Sequence, residues 1–438
     1  MTAITTGRPI AALIAALTLA ACAEREVVLS GQREPIRPED APAATETGPR
    51  LFAAPPQTAR ADCPMIGCGP EHDAGHAALS AAPRLAWRTA FGAANDRRRV
   101  ITAAPVISGG RVFVQDALTG VSALSTGGAL LWRTELTPAA DAPGQASGGG
   151  LAVDGGTLFA TTGYGELHAL DPATGARRWT QDVLAAVTGA PTPRGGLVYV
   201  AARDAVGWAV DARTGRVEWQ LSGLPDPSGR THAPAPLVTG DLVVFPHRSE
   251  QLVGAFRLGG TQRWSAQLAG GRVGSASSGL TDIAGAPVLS GGTIYAGNAT
   301  GRIGAFTAAG GERIWTAREG AAGPLAVAGD SVFAVADDSA AVRLDRATGA
   351  TIWRTELPGL TPARRADRRR GEVAHFGPVL AGGRLWIAGS DGVLRGLDPA
   401  GGAVVSQLPI PSGAASHPAA AGGTLYVVGR DGHLNAYR

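Results

Sequence analysis

The chain has 438 residues, 17% of them charged, and a formal net charge of only +3. So small a positive excess gives no reason to expect a nucleic-acid partner, and the low charged fraction predicts a surface of mainly small and polar residues. All three cysteines lie before residue 69, so any cysteine chemistry is confined to the N-terminal part of the chain.

Residues 1–21 predict a signal peptide. Arg8 supplies a positive flank, and residues 9–17 form an apolar run that is too short to span a membrane as a mature helix. The following Leu-Ala-Ala-Cys at residues 19–22 resembles the lipobox of bacterial lipoproteins, whose cysteine is acylated and becomes the first residue. We therefore expect Cys22 to be lipidated. No Asp follows Cys22, and this resembles the sequence of lipoproteins that are sent to the outer membrane. The alternative is an ordinary signal peptide with an incidental cysteine.

Residues 22–82 are rich in Pro, Ala and charge and lack apolar periodicity, which predicts a flexible tether. Within this segment Cys63 and Cys68 are followed by His72 and His76. In an exported protein the short spacing of the cysteines favours a local disulfide between Cys63 and Cys68. A two-Cys, two-His zinc site and cysteines with no fixed role are the alternatives, and the spacing is not that of a standard zinc finger.

From residue 83 to residue 438 one pattern repeats, and its clearest copy is residues 150–183. The copy consists of four short strands with alternating apolar residues, separated by Gly-rich turns. Eight copies of the first strand and its turn can be counted. Seven fourth strands carry a tryptophan, at spacings of 38 to 51 residues: Trp87, Trp132, Trp179, Trp219, Trp264, Trp315 and Trp353. This period predicts an all-β fold, an eight-bladed β-propeller of four-stranded antiparallel blades.

The phase of the repeat predicts how the ring closes. Trp87 lies in a lone fourth strand before any first strand, whereas the last unit stops at Arg438 after its third strand. Residues 85–92 should therefore supply the outer strand of the last blade, which leaves no unpaired gap in the ring. The eighth tryptophan position falls near Val404 and Val405, where a weaker contact between blades is expected because the tryptophan is missing.

The sequence shows no nucleophile elbow, P-loop, EF-hand loop or metal-spaced His/Glu pair, so no catalytic residue, metal or cofactor is predicted. The pattern Ala-x-Asp-x-x-Thr-Gly-x-x-x-Trp at residues 169–179 and 209–219 resembles the pyrroloquinoline-quinone propeller repeat. That family includes eight-bladed alcohol dehydrogenases with a neighbouring-cysteine disulfide, a carboxylate set for calcium and an Asp base. Because no cysteine follows Cys68 and no haem-attachment motif is present, a dehydrogenase is the least favoured alternative.

Lipobox, tether and eight blades together resemble the BamB family, the propeller lipoproteins of the outer-membrane β-barrel assembly machinery. The resemblance implies a non-catalytic scaffold that is lipid-anchored in the outer membrane and faces the periplasm. It also implies binding to the POTRA domains of the barrel-forming subunit and help in delivering unfolded outer-membrane proteins. A function of a different class is that of a periplasmic propeller that binds peptides or sugars.

The resemblance further implies a docking site on loops between the third and fifth blades. Leu224 and Arg230 match the first of these loops, and Asp282 matches an acid in the second. Ala284 replaces the second acid of that loop. Both loops run from an outer strand to the next inner strand, so we expect Arg230 and Asp282 to be exposed neighbours on one face of the ring.

Overall fold

The structure is a computed structural model that describes residues 50–224, 234–268, 270–272, 282–283, 285–321, 323–361 and 371–438. These residues form eight four-stranded antiparallel sheets, and each sheet packs its innermost strand against that of the next. Apolar side chains from neighbouring sheets share one core at each junction, including the junction between the first and last blades. The predicted eight-bladed β-propeller is confirmed.

The strands follow one order in every blade, from the channel outwards. The first four blades consist of β2 (Val106–Ser108), β3 (Arg111–Gln115), β4 (Val121–Ser125) and β5 (Leu130–Thr134); β6 (Gly149–Asp154), β7 (Thr157–Thr162), β8 (Glu166–Leu170) and β9 (Arg177–Asp182); β10 (Thr192–Arg194), β11 (Leu197–Ala201), β12 (Val206–Asp211) and β13 (Val217–Ser222); and β14 (Leu237–Thr239), β15 (Leu242–Pro246), β16 (Gln251–Phe256) and β17 (Gln262–Gln267).

The last four blades repeat this order, except that the outermost strand of blade 8 comes from the start of the ring. They consist of β18 (Val288–Ser290), β19 (Thr293–Gly297), β20 (Ile303–Thr307) and β21 (Arg313–Ala317); β22 (Ala326–Ala328), β23 (Ser331–Val335), β24 (Ala340–Asp345) and β25 (Thr351–Glu356); β26 (His375–Ala381), β27 (Arg384–Gly389), β28 (Val393–Leu397) and β29 (Val404–Pro409); and β30 (Ala419–Ala421), β31 (Thr424–Val428), β32 (His433–Tyr437) and β1 (Leu85–Ala90).

The alternating strand direction gives the ring two different faces. Turns between first and second strands, and between third and fourth strands, lie on one face, which we call the hairpin face. Turns between second and third strands, and the connections from one blade to the next, lie on the opposite face, which we call the loop face. The connections that enter blades 4 and 5 therefore belong to the loop face.

Each fourth-strand tryptophan joins its blade to the next one. Its indole N–H donates to a main-chain carbonyl in the third-to-fourth hairpin of the following blade. These hydrogen bonds run from Trp87 to Thr126 (3.2 Å), Trp132 to Pro172 (3.2 Å), Trp179 to Ala212 (3.2 Å), Trp219 to Arg257 (2.9 Å), Trp264 to Ala308 (3.3 Å), Trp315 to Arg346 (3.0 Å) and Trp353 to Pro399 (3.0 Å).

A hairpin glycine lies under each of these rings. Gly349 is typical: its φ is 74°, and a Cβ added there would lie 2.5 Å from the ring of Trp315. Glycine is therefore needed for the backbone conformation and for the close approach of the indole. The Thr-Gly and the Trp of the repeat thus act across a blade junction, with the glycine in one blade and the tryptophan in the blade before it.

The ring closes as the repeat phase predicts. Strand β1 pairs with β32, with Leu85 opposite Tyr437 and Ala90 opposite His433. The eighth tryptophan position needs a correction, because the register of β29 places Ser406 opposite Gly396, where other blades have their tryptophan. The expected position at Val404 and Val405 is therefore wrong by one or two residues.

Residues 50–82, which the composition predicts to be part of a flexible tether, are packed against the ring instead. We call residues 50–80 the strap. Its main chain forms hydrogen bonds with several innermost strands: Cys63 with Ile107 in both directions (2.8 Å each), Val153 N–H to Pro64 (2.7 Å), Val238 N–H to Pro70 (2.9 Å), Leu289 N–H to Glu71 (2.9 Å) and Ala77 N–H to Leu380 (3.0 Å). An innermost strand has an edge without a partner strand, so an extended segment that supplies donors and acceptors is held there.

The start of the strap is held by a buried arginine of blade 6. The Arg343 side chain is 0% exposed and donates to the carbonyls of Arg50 (2.9 Å) and Leu51 (3.3 Å). Its guanidinium also lies 5.2 Å from the centre of the Phe52 ring, and Phe52 in turn meets Phe333 edge-to-face. Composition cannot reveal this anchor, because its partners are mostly main-chain carbonyls.

Candidate functional site

Two of the predicted site residues, Cys22 and Arg230, lie outside the described residues. Within the described ranges, no helix is long and apolar enough to cross a membrane. Lipidation of Cys22 and a partner contact at Arg230 both stay predictions.

The structure places the other two predicted docking residues in different surroundings. Leu224 follows β13 on the loop face, and its side chain is 57% exposed. Asp282 is only 1% exposed; its carbonyl accepts a hydrogen bond from Ala299 N–H (3.2 Å), and the adjacent Ile283 forms a β-bridge with Asn298. The expectation that Asp282 is a surface charge is therefore wrong, because the residue is built into the support of the blade 5 hairpin.

A buried polar network links blades 4 and 5 beside Asp282. The amide of Asn298 donates to the carboxylate of Glu250 (2.8 Å) and to the carbonyl of Gly270 (2.9 Å), while its own oxygen accepts from Arg302 N–H (2.7 Å). The hydroxyl of Thr300 also donates to Glu250 (3.1 Å). Burial raises the pKa of Glu250, and these hydrogen bonds to its carboxylate oppose that shift. The network thus joins the second-to-third turns of the two blades to Gly270 through buried hydrogen bonds.

A charged cluster continues the network to blade 6. Arg272 contacts Asp337 (2.9 Å) and Asp338 (3.2 Å) in the second-to-third turn of that blade. Arg354 contacts Asp338 (2.7 Å) and also Glu319 (2.6 Å), which follows the outer strand of blade 5. Burial raises the pKa of Glu319, although both guanidiniums oppose that shift. We call these five residues the blade 5–6 cluster.

Sequence reasoning missed the blade 5–6 cluster. Its members come from four separate stretches of chain and meet only when blades 5 and 6 are side by side. One signal was present in the sequence. The second-to-third turn of blade 6 contains two acids, Asp337 and Asp338, whereas the equivalent turns of blades 7 and 8 contain one acid followed by a glycine, at Asp391 and Asp431. The structure pairs this second acid, Asp338, with Arg272 and Arg354.

The axis of the ring contains a cavity of about 440 Å³. Its wall is formed where the innermost strands begin, by small or apolar residues such as Leu151, Ala190 and Ala235. Ile66 from the strap lines it as well. His375 also belongs to the wall; its Nε2 donates to the Pro358 carbonyl (2.9 Å), and burial lowers its pKa, which favours the neutral imidazole.

Beside Ile66, Cys63 and Cys68 are joined by a disulfide. The two histidines of the alternative zinc set point to other partners. His72 Nδ1 donates to the Pro287 carbonyl (2.8 Å), and His76 Nδ1 donates to the Pro55 carbonyl (2.7 Å). Among the described residues no group of three or more His, Cys, Asp or Glu side chains could hold a metal ion.

The fold and its repeat define a class, the eight-bladed propellers with quinone-type repeats, and the sequence places the chain within it. Residues 117–355, more than half of the chain, match the family described as outer membrane protein assembly factor BamB, so the chain belongs to that family. The assembly factor BamB of Bordetella pertussis is 29% identical over 339 residues, which cover 74% of this chain and 82% of that protein. The same factor of Xanthomonas campestris pv. campestris is 29% identical over 68% of this chain and 74% of its own length.

Solved structures with the same fold include a BamB protein and an alcohol dehydrogenase. BamB from Moraxella catarrhalis matches with a TM-score of 0.66 and 18% identity, over 82% of this chain and all of that one. Quinohemoprotein alcohol dehydrogenase from Comamonas testosteroni matches with a TM-score of 0.64 and 15% identity, over 86% of this chain and 80% of that one. Identities this low show a shared fold alone.

Proposed function

We propose that the chain is a non-catalytic, outer-membrane-anchored scaffold of the β-barrel assembly machinery. The observation that carries this proposal is the family match over residues 117–355, which runs from blade 1 into the last strand of blade 6 and includes the loops that enter blades 4 and 5. The dehydrogenase alternative is supported by the resemblance of the repeat and by a common fold at 15% identity.

The proposed partner is the POTRA-bearing barrel subunit, and the proposed docking surface is the loop face of blades 4 to 6. Leu224 presents an exposed apolar side chain there. The blade 5–6 cluster presents acidic and basic groups of which Asp338 and Arg354 are about one-third and one-quarter exposed. An apolar anchor and charges of both signs on one face can bind a partner and fix its register.

The proposed anchor is an acyl group on Cys22. In a strain that expresses the full chain, Cys22→Ser should release the protein from the outer-membrane fraction into the periplasmic fraction, because the acyl chains supply the membrane affinity. Membrane fractionation and mass spectrometry of the N-terminal peptide measure this. An unmodified wild-type Cys22, together with unchanged fractionation of the variant, would contradict the anchor.

The function itself is tested by purification of the affinity-tagged chain from detergent-solubilised outer membrane. We expect a barrel protein with POTRA domains to co-purify. If such a barrel is abundant in the extract but absent from the purified sample, the scaffold proposal fails.

The docking surface is tested with two exposed leucines on opposite faces. Leu224→Glu should weaken binding to the POTRA-bearing subunit at least tenfold, about 1.4 kcal/mol, because a charge replaces an apolar contact in the interface. Leu258→Glu is the matched control, since Leu258 is 77% exposed in the third-to-fourth hairpin of blade 4 on the hairpin face. Equal affinities for both variants would contradict the proposed surface.

Arg230 is tested in the same assay. Arg230→Glu should also weaken binding about tenfold, whereas Arg97→Glu, in the loop-face connection that enters blade 1, should not. Asp282 is unsuitable for a charge-reversal test: because its side chain is buried, Asp282→Arg should destabilise blade 5 and lower the melting temperature.

A further inference from the structure

The axial cavity opens towards the loop face. Ile66 lines it, and the strap around Ile66 hydrogen-bonds to the innermost strands at the hairpin-face end of the channel. Its volume, about 440 Å³, lies in the lower part of the range of roughly 300–1,000 Å³ that is typical of ligand pockets. The cavity can therefore take a group of the size of one or two side chains, but not a chain that passes through the ring.

The wall and the rim differ in chemistry. The wall is mainly apolar, and Gly150, Ala190 and Gly323 bring no bulky side chain into the cavity. The rim includes Arg430 and Glu372, both exposed, and neither side chain has a hydrogen-bond or ion-pair partner among the described residues. An apolar interior is thus bordered by a guanidinium and a carboxylate that have no partner within the described ranges.

This combination favours one kind of ligand. A fatty acid would need a long apolar tunnel, which the strap closes, and it has no group to pair with Glu372. A peptide main chain carries both N–H donors for a carboxylate and carbonyl acceptors for a guanidinium. A bulky apolar side chain of the same peptide matches the wall.

We propose that the axial cavity binds one bulky apolar side chain of an unfolded peptide, with the flanking main chain held at the rim by Arg430 and Glu372. The source of the peptide, an unfolded outer-membrane protein, rests on the proposed scaffold function. The binding site itself does not, because it follows from the cavity and its rim.

Gly323 offers a way to fill the cavity without disturbing the fold. It lines the cavity, its φ is outside the left-handed region, and a Cβ added there would have no atom within 4 Å. Gly323→Trp should therefore occupy the cavity. Gly259 is the matched control, since it also has an ordinary φ and open space around an added Cβ, but it lies in a hairpin on the opposite face.

The experiment uses the purified full chain and an acetylated, amidated nonapeptide of Gly and Ser with one central 4-fluorophenylalanine. Binding is followed by ¹⁹F NMR, and unlabelled peptides with Phe or Ser at the centre compete. We expect the Phe peptide to bind at least tenfold more tightly than the Ser peptide, because only the former buries an aromatic ring. Gly323→Trp should weaken binding at least tenfold, and Gly259→Trp should leave it unchanged.

Three results would overturn the proposal: no binding of the Phe peptide to the wild type, equal binding by the Gly323→Trp and wild-type chains, or binding of 1-anilinonaphthalene-8-sulfonate in the cavity without peptide binding. Circular dichroism checks folding. If Gly323→Trp fails to fold, Gly323→Leu replaces it, with an expected loss of about threefold or more. Co-purification of the POTRA-bearing subunit is measured on the same preparation, so loss of peptide binding with retained co-purification contradicts the cavity proposal and leaves the scaffold proposal standing.

Discussion

Seven of the eight blade junctions are joined by a tryptophan, and the junction between blades 7 and 8 is not. At a tryptophan junction the indole of one blade donates to the third-to-fourth hairpin of the next and packs on its glycine. Blade 8 has no such hairpin, because its third strand β32 pairs with β1, a strand that precedes blade 1 in the chain. Strand β29 of blade 7 lacks the tryptophan. A tryptophan there would have had no third-to-fourth hairpin in blade 8 to bind.

Other contacts hold the closing region together. The hydroxyl of Tyr437 donates to the carbonyl of Pro409 at the end of β29 (2.7 Å). The strap also crosses this region, since Gly422 N–H in blade 8 donates to the carbonyl of Arg60 (2.7 Å) and Gly383 N–H in blade 7 donates to His76 Nε2 (2.9 Å). The comparison shows that the tryptophan stabilises a junction through a contact with the third-to-fourth hairpin of the next blade. The contact can form only where such a hairpin follows.

The largest effect should come from removal of β1. A chain that begins at residue 93 loses Trp87 and leaves β32 as an exposed edge, so we expect no cooperative unfolding transition. A chain that begins at residue 83 keeps β1 but loses the strap and the residues before it, and it should fold with reduced stability. Thermal unfolding followed by circular dichroism compares the two. Equal melting temperatures would show that β1 does not close the ring.

A tryptophan junction should be the next most sensitive point. Trp315→Ala removes a side chain that is 8% exposed, together with its bond to Arg346, and should lower the free energy of unfolding by about 3–5 kcal/mol. Trp315→Phe keeps most of the apolar area and loses mainly the hydrogen bond, so about 1–2 kcal/mol is expected. Urea denaturation measures both. Similar losses for the two variants would mean that the hydrogen bond dominates the junction.

Acidification should loosen the strap. His72 is 3% exposed, and burial lowers its pKa to about 4 from the ordinary 6.5. The unfolded chain therefore binds a proton more readily, and the free energy of unfolding should fall as the pH decreases from about 6.5 towards 4, by roughly 3 kcal/mol from this residue. Urea midpoints across this pH range measure the loss.

The control for this pH effect is His72→Gln, which cannot titrate. His247, whose pKa burial also lowers to about 4, remains in the variant, so part of the pH dependence should persist. If the wild type and His72→Gln have the same dependence between pH 6.5 and 4, the strap histidine is not responsible for it.

The smallest effect should come from restoring the missing tryptophan. Ser406→Trp places an indole at the matching position of β29, but no third-to-fourth hairpin follows in blade 8 to accept its N–H or to pack under the ring. We expect a change in the free energy of unfolding of about 0.5 kcal/mol or less, as for other partly exposed substitutions. A stabilisation comparable to the loss in Trp315→Ala would contradict the two-blade explanation.

The sequence predicted much of the ring and little of the candidate site. Leu224 was placed correctly on the loop face because a connection between blades has only one face available. Asp282 was misjudged, since a loop position alone does not reveal that Ile283 beside it pairs with the blade 5 hairpin. The blade 5–6 cluster was missed because Arg272 and Asp337 are 65 residues apart in the chain.

The number of blades, the strand order and the closure through β1 were determined by the sequence itself. Turn glycines and period-2 strands are local signals, and a repeat adds the same unit each time. Both can therefore be recognised in the sequence without knowledge of distant contacts. Only the tertiary structure decided the course of the strap and the closed end of the cavity. Arg343 donates a hydrogen bond to a carbonyl 293 residues earlier in the chain. The edges of the innermost strands can pair with almost any extended main chain, so no side-chain pattern predicts the course of the strap.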